Sequence, residues 1–154
     1  MNLASLILEL AVLGFGIVCG AMVYEHTAIV PVWAARPPES LHMWQGPHRV
    51  RAERFWMPSH PMVVLLLAVA LALHWGASAV ATRLVVVLAS YVVILVITGR
   101  LFVPELMRLC RDPNAPLAPD VWRRRARRWE RLSLLRGAVM LGLAVVLCDA
   151  LRLA

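Results

Sequence analysis

The chain has 154 residues, 61% of them apolar, and a net charge of +7 in which every basic residue is an arginine. The length suits one domain, and the apolar share far exceeds that of an ordinary water-soluble domain, with the excess gathered in blocks. A soluble chain this basic would point to nucleic acid, but long uncharged blocks argue against that partner and set the charge beside a membrane.

The first block, residues 3–24, LASLILELAVLGFGIVCGAMVY, holds a single charge, Glu9. A bilayer core needs about 20 apolar residues per helix, so a membrane helix is predicted over 3–26. A cleaved signal peptide is the rival reading. The block lacks a basic leader and a small-residue cleavage site, so it is expected to stay as a helix. Gly16 and Gly20 form a small-xxx-small pair, and Glu9 shares their helical face. That face is expected to look into the bundle, where Gly lets a neighbouring helix approach.

Residues 31–60, PVWAARPPESLHMWQGPHRVRAERFWMPSH, change character. Pro37-Pro38 breaks the chain, Glu39 and Ser40 can begin a short helix, and Pro47 interrupts it. Apolar residues alternate with His, Arg and Glu. This suits an interfacial segment between helices 1 and 2, lying in the membrane plane or dipping into the mouth of the bundle. Four of the five histidines, His26, His42, His48 and His60, fall on it or at its borders.

Helices 2 and 3 are predicted over 59–76 and 80–104, joined by the short turn GASA at 76–79. Tyr91, Thr98 and Glu105 recur at intervals of seven and form one stripe of helix 3. RDPNAPLAPD at 111–120 is too proline-rich for helix. A basic helix then begins near Val121 and continues into helix 4, over 132–152. The expected fold is all-α: a four-transmembrane-helix bundle in one integral membrane domain, 1–154. No internal repeat is evident.

Twelve arginines lie in segments 31–60 and 105–131, and only Arg83 and Arg152 lie at the opposite ends of the helices. The positive-inside rule then puts both long segments in the cytoplasm and both termini outside. These arginines can also hold anionic lipid headgroups. The six tryptophans fall near predicted helix ends, the place of an aromatic belt. Cys19, Cys110 and Cys148 are scattered, so neither a disulfide nor a zinc site is expected. The Arg-only, Ala/Val/Leu-rich usage suggests a GC-rich bacterium and its cytoplasmic membrane.

Two polar constellations carry chemical promise. Glu25, His26, Glu39, His42, His48, Glu53 and His60 surround the interfacial segment. Glu39-x-x-His42 is the kind of pair found in carboxylate-bridged metal sites, so His26, Glu39, His42 and His60 are the candidate ligands of a non-haem metal ion. Acid–base use of the histidines is the other reading. The second constellation is Trp129, Ser133 and Arg136, which share a face within about 60°. Arg136 either snorkels back to the headgroups or turns inward to Glu25 or Glu105. No phosphate-binding loop, dinucleotide fingerprint, nucleophile elbow or haem-attachment site occurs.

The chain as a whole resembles the anthrone-oxygenase-like family of small integral membrane proteins. The likeness rests on a Gly-containing first helix and an interfacial segment that starts at Pro31 and holds Trp44 and Arg51. It also rests on VPELMRL (103–109) and on WERLSLLR from Trp129 to Arg136. The resemblance implies oxidation of a lipophilic polyketide aromatic, such as an anthrone to its anthraquinone, with oxygen from O2. The family often places Asn or His near Ser133, and Asn near Glu105, so this chain departs from it at both.

The catalytic residues expected on this reading are His26, His42, His48, Arg51, Glu105 and Arg136. Substrate is expected to meet Glu25, Trp33, Trp44, Tyr91 and Trp129. A bound cofactor is not required, a non-haem metal ion being the alternative. Expected partners are the substrate, membrane lipids and a second copy of the chain, and not nucleic acid. An isomerase or cyclase on the same scaffold, and a non-catalytic subunit or lipid-binding protein, are the competing functions.

Overall fold

A computed structural model describes residues 2–110 and 118–154. Four helices are long and apolar enough to cross a membrane: α1 (Leu3–Ala35), α2 (Glu53–Leu73), α3 (Ser78–Cys110) and α4 (Pro119–Leu153). The described residues contain no strand. Each helix packs on its two neighbours in a closed ring, α1 on α2, α2 on α3, α3 on α4 and α4 back on α1. The short connection at 74–77 between α2 and α3 favours an antiparallel pair, as in up-and-down bundles. The anticipated all-α bundle is thus the fold of the chain. Of the proline-rich stretch at 111–120, residues 111–117 lie outside the described residues. Pro119 is helical after all, in the first turn of α4, where its missing amide hydrogen costs nothing.

The helices are longer than predicted, and all the extra length but that at the start of α3 and the end of α4 lies at the arginine-rich end. There α1 continues nine residues past 26, α3 reaches Cys110, and α2 starts at Glu53 rather than 59. Pro58 and Pro61 lie inside α2, in its second and third turns, and each removes one main-chain hydrogen bond from the helix. The basic stretch and the apolar stretch of α4 form one rod of 35 residues. At 1.5 Å per residue it is about 50 Å long, well beyond the ~30 Å hydrocarbon layer. The 3-10 turn Glu39–Trp44 folds back beneath α1, where Ser40 Oγ donates to the Trp33 carbonyl at 2.7 Å.

Two apolar clusters hold the ring together. The larger lies toward the chain termini and centres on Leu8, Phe15, Leu67, Leu84, Tyr91 and Leu147. Phe15 meets Tyr91 edge to face at 5.2 Å. Arg83 Nε donates to Asp149 at 2.6 Å near that end, tying α3 to α4. The smaller cluster, at the arginine-rich end, holds Trp33, Leu41, Leu109, Trp122 and Trp129. Trp33 lies edge-on to both Trp122 and Trp129, at 5.9 and 5.8 Å.

One expectation about α1 is overturned. Glu9, Gly16 and Gly20 do share a face, but that face is exposed. A Cβ built on Gly16 or Gly20 would meet nothing within 4 Å. The buried face is Leu8, Ala11, Phe15, Val18, Cys19 and Met22. Bulky side chains win the interior because they fill the space between helices, and lipid tails solvate either face equally well. The glycines that do allow close approach are Gly14, where a Cβ would fall 3.3 Å from Val63 on α2, and Gly137, where it would fall 3.2 Å from the Met22 tip.

Two wide turns shape the site. In α1 the residues Glu25–Ile29 form a π-helical turn closed by the Val30 amide on the Glu25 carbonyl. In α3 the residues Thr98–Phe102 do the same, closed by the Val103 amide on the Thr98 carbonyl. Each closing valine is followed by proline, Pro31 and Pro104. Proline has no amide hydrogen and its ring collides with the carbonyl four residues back. One residue of extra slack relieves both problems without ending the helix. The two turns stand 73 positions apart, and so do Trp56 and Trp129, and His60 and Ser133. The hairpins α1–α2 and α3–α4 are therefore built on one plan. This repeat is missed in the sequence because only these few positions preserve it.

Candidate functional site

The two wide turns lie on opposite helices of the ring, with α4 beside both. On α4 the residues Trp129, Ser133 and Arg136 point inward as their spacing predicts. Trp129 and Ser133 are buried and Arg136 is half-buried. Arg136 donates from Nη1 to Thr98 Oγ1 at 3.0 Å and from Nη2 to Ser133 Oγ at 2.9 Å. Its guanidinium also lies over the Phe102 ring, 4.6 Å from the centroid. Arg136 therefore neither snorkels outward nor forms the anticipated ion pair. Glu25 is within electrostatic range of it, but no ion pair within 4.0 Å joins them.

His26 occupies the π turn of α1. Its Nδ1 lies 3.0 Å from the Met22 carbonyl. A carbonyl only accepts, so Nδ1 carries the proton and Nε2 of the neutral ring presents a lone pair. That Nε2 is buried and has no hydrogen-bond partner. The ring lies parallel to Trp129, 6° between planes and 6.4 Å between centroids. Trp129 is itself fixed, its Nε1 donating to the Phe102 carbonyl at 3.1 Å. Each wide turn thus has a ring nitrogen donor beside it on a main-chain carbonyl.

A second imidazole lies deeper. His60 Nδ1 and the Tyr91 hydroxyl share a hydrogen bond of 2.7 Å, and Trp56 stacks on His60 at 5.3 Å. The Trp44 indole nitrogen, from the interfacial segment, is the other buried polar side-chain atom without a partner among the described residues.

Other expected residues do not join this group. His42, His48, Arg51 and Glu39 are all exposed. The 3-10 turn buries Leu41, which turns His42 the other way. Glu105 is claimed by Arg125, whose Nε and Nη2 donate to its two oxygens at 2.7 and 2.5 Å. The wide turn in α3 changes the seven-residue stripe between Thr98 and Glu105, because each inserted residue rotates the helix by about 100°. Among the described residues no three His, Cys, Asp or Glu side chains gather as a metal ion would require. His26, Glu39, His42 and His60 therefore do not assemble: two lie inside the bundle and two outside it.

Sequence reasoning underrated Thr98 and missed Phe102 and Arg125. The readable signal was the recurring Val-Pro pair, which marks both wide turns. Comparisons of the chain with known protein families, with curated proteins and with solved structures find no match.

Proposed function

We propose that the chain is a membrane-embedded enzyme that removes a proton from a lipophilic, aromatic carbon acid. The observation that carries this reading is the His26 imidazole, with Nδ1 tied to a carbonyl and Nε2 buried and unpartnered. A base held in one tautomer, away from water, is the arrangement general-base catalysis needs. Nε2 accepts a proton from an activated methylene of the substrate. The charge that develops on the conjugated oxygen is stabilised by Arg136, and the flat ring system lies against Trp129. Trp44 offers an N–H to a second substrate oxygen. A greasy substrate enters from the bilayer at the arginine-rich end.

With dioxygen as oxidant the reaction balances: one methylene group and one O2 give one ketone carbonyl and one water. The carbanion adds O2 to form a C–O bond, and the peroxide takes the proton from His26. The second C–H proton is then lost as the O–O bond breaks, giving the ketone and water. This agrees with the anthrone-oxygenase-like resemblance. We further propose a bacterial cytoplasmic membrane with the arginine-rich end in the cytoplasm and both termini outside, because 12 of 16 arginines lie in the two segments at that end.

The test is turnover of an anthrone in membranes that hold the protein, with O2 uptake followed in parallel. His26→Ala should lower turnover by about 100-fold or more. His42→Ala and His48→Ala, both exposed, should stay within about two-fold. Full activity of His26→Ala would sink the acid–base reading. Proton exchange at the substrate without O2 uptake would instead favour an isomerase on the same base.

A further inference from the structure

The base-and-cation site leaves unused a strongly charged face of α4. Arg124, Arg127, Arg128 and Arg131 are spaced 3, 1 and 3 along α4, so they share one helical face. All four are exposed, and with Leu132 they line an open cleft of about 440 Å3. Their neighbours are paired: Arg125 with Glu105 on α3, and Arg123 with Asp120. None of the four has an ion pair within 4.0 Å among the described residues, and Glu130 between them makes none either.

The position of this face along the rod decides its partner. Below Arg131 the same face continues as Leu135, Val139 and Gly142, all exposed. From Leu132 to Leu151 is 20 residues, about 30 Å, which matches the hydrocarbon layer. Arg124 to Arg131 then spans the next ~10 Å, the depth of the headgroups. Unpaired guanidiniums stand directly above a strip that only acyl chains can cover. A soluble acidic protein or a nucleic acid would use the charges and leave that strip alone.

We infer that the Arg124–Arg131 face of α4 is a binding site for an anionic phospholipid, its phosphate held by the guanidiniums and its acyl chains laid along Leu135 and Val139. Arg suits the task because its planar fork donates two parallel hydrogen bonds to one phosphate.

The experiment is native mass spectrometry of the full chain in detergent, titrated with phosphatidylglycerol or with phosphatidylcholine. The wild type should retain phosphatidylglycerol preferentially. Each arginine lost should weaken it about five-fold, so Arg124→Gln with Arg128→Gln should weaken it about thirty-fold. This pair is the variant to read if replacement of all four prevents folding, which a thermal melt would reveal. Replacement of all four by Lys keeps the charge and should retain part of the preference. Equal retention of both lipids by the wild type, or an unchanged preference in the Gln pair, overturns the site. Full displacement by millimolar inorganic phosphate, or by a single-stranded oligonucleotide, would show a plain anion site and overturns it equally.

Discussion

Arg136 sets the central problem among the individual residues. It lies four residues past Leu132, about 6 Å into the hydrocarbon, where an arginine costs up to about 3 kcal/mol, its cost at the centre of a membrane helix. Two hydrogen bonds from a charged donor return about 1.5–3 kcal/mol each. The contact with Phe102 adds about 1 kcal/mol. The inward position is therefore self-supporting without any carboxylate. An apolar side chain there would forfeit those contacts and also avoid the cost of a buried charge. Replacing a satisfied buried ion by an apolar side chain of similar size is often neutral or stabilising. Arg136→Met should leave the melting temperature unchanged or slightly raised, while anthrone turnover falls about 100-fold. A variant that melts normally and turns over normally would remove Arg136 from the site. The inward face of Trp129, Ser133 and Arg136 was legible from spacing alone. Its acceptor on α3, Thr98, was not, because the wide turn that aims it depends on how the helix resolves Pro104.

Within the helices, the prolines and glycines of this chain act differently from their usual reading. Pro31 and Pro104 do not end their helices; each costs one inserted residue and leaves a polar group facing α4. Pro104→Ala removes the reason for the wide turn at Thr98–Phe102. Loss of the extra residue rotates α3 beyond Thr98 by about 100° and carries the Phe102 carbonyl away from the Trp129 indole. Turnover should fall at least about ten-fold with helical circular dichroism unchanged, and unaltered turnover would show that the turn does not position the site. The glycines give a converse test. Gly16→Leu with Gly20→Leu should leave the thermal melt unchanged, since a side chain there meets only lipid. Gly137→Leu should lower it by several degrees, because the Met22 tip already lies 3.2 Å from a built Cβ. Helix number and approximate position were legible in the sequence; the buried face of α1 was not, since apolar residues surround that helix and no periodicity marks its interior.

For the molecule as a whole, the ring of four helices keeps a polar layer between two apolar clusters. The larger cluster fixes the crossing of the helices, and the tryptophans of the smaller one close the bundle at the arginine-rich end. Orientation belongs to the entire chain and is tested as such. With the exposed Cys148 replaced by Ser, the Asn2→Cys variant should react with a membrane-impermeant maleimide added to intact cells, and His48→Cys should react only after lysis. The reverse pattern would invert the proposed topology. The all-α class, the four spans and the asymmetry of charge could all be read along the chain, because each depends on local composition against the fixed thickness of a bilayer. Which polar groups meet emerged only once the helices were packed. Packing turned Arg136 to Thr98 and gave Glu105 to Arg125. It left His26 Nε2 buried without a partner and His42 outside. Those outcomes depend on the phase of each helix about its own axis, and two proline-driven wide turns shift that phase in a way that spacing along a regular helix does not reveal.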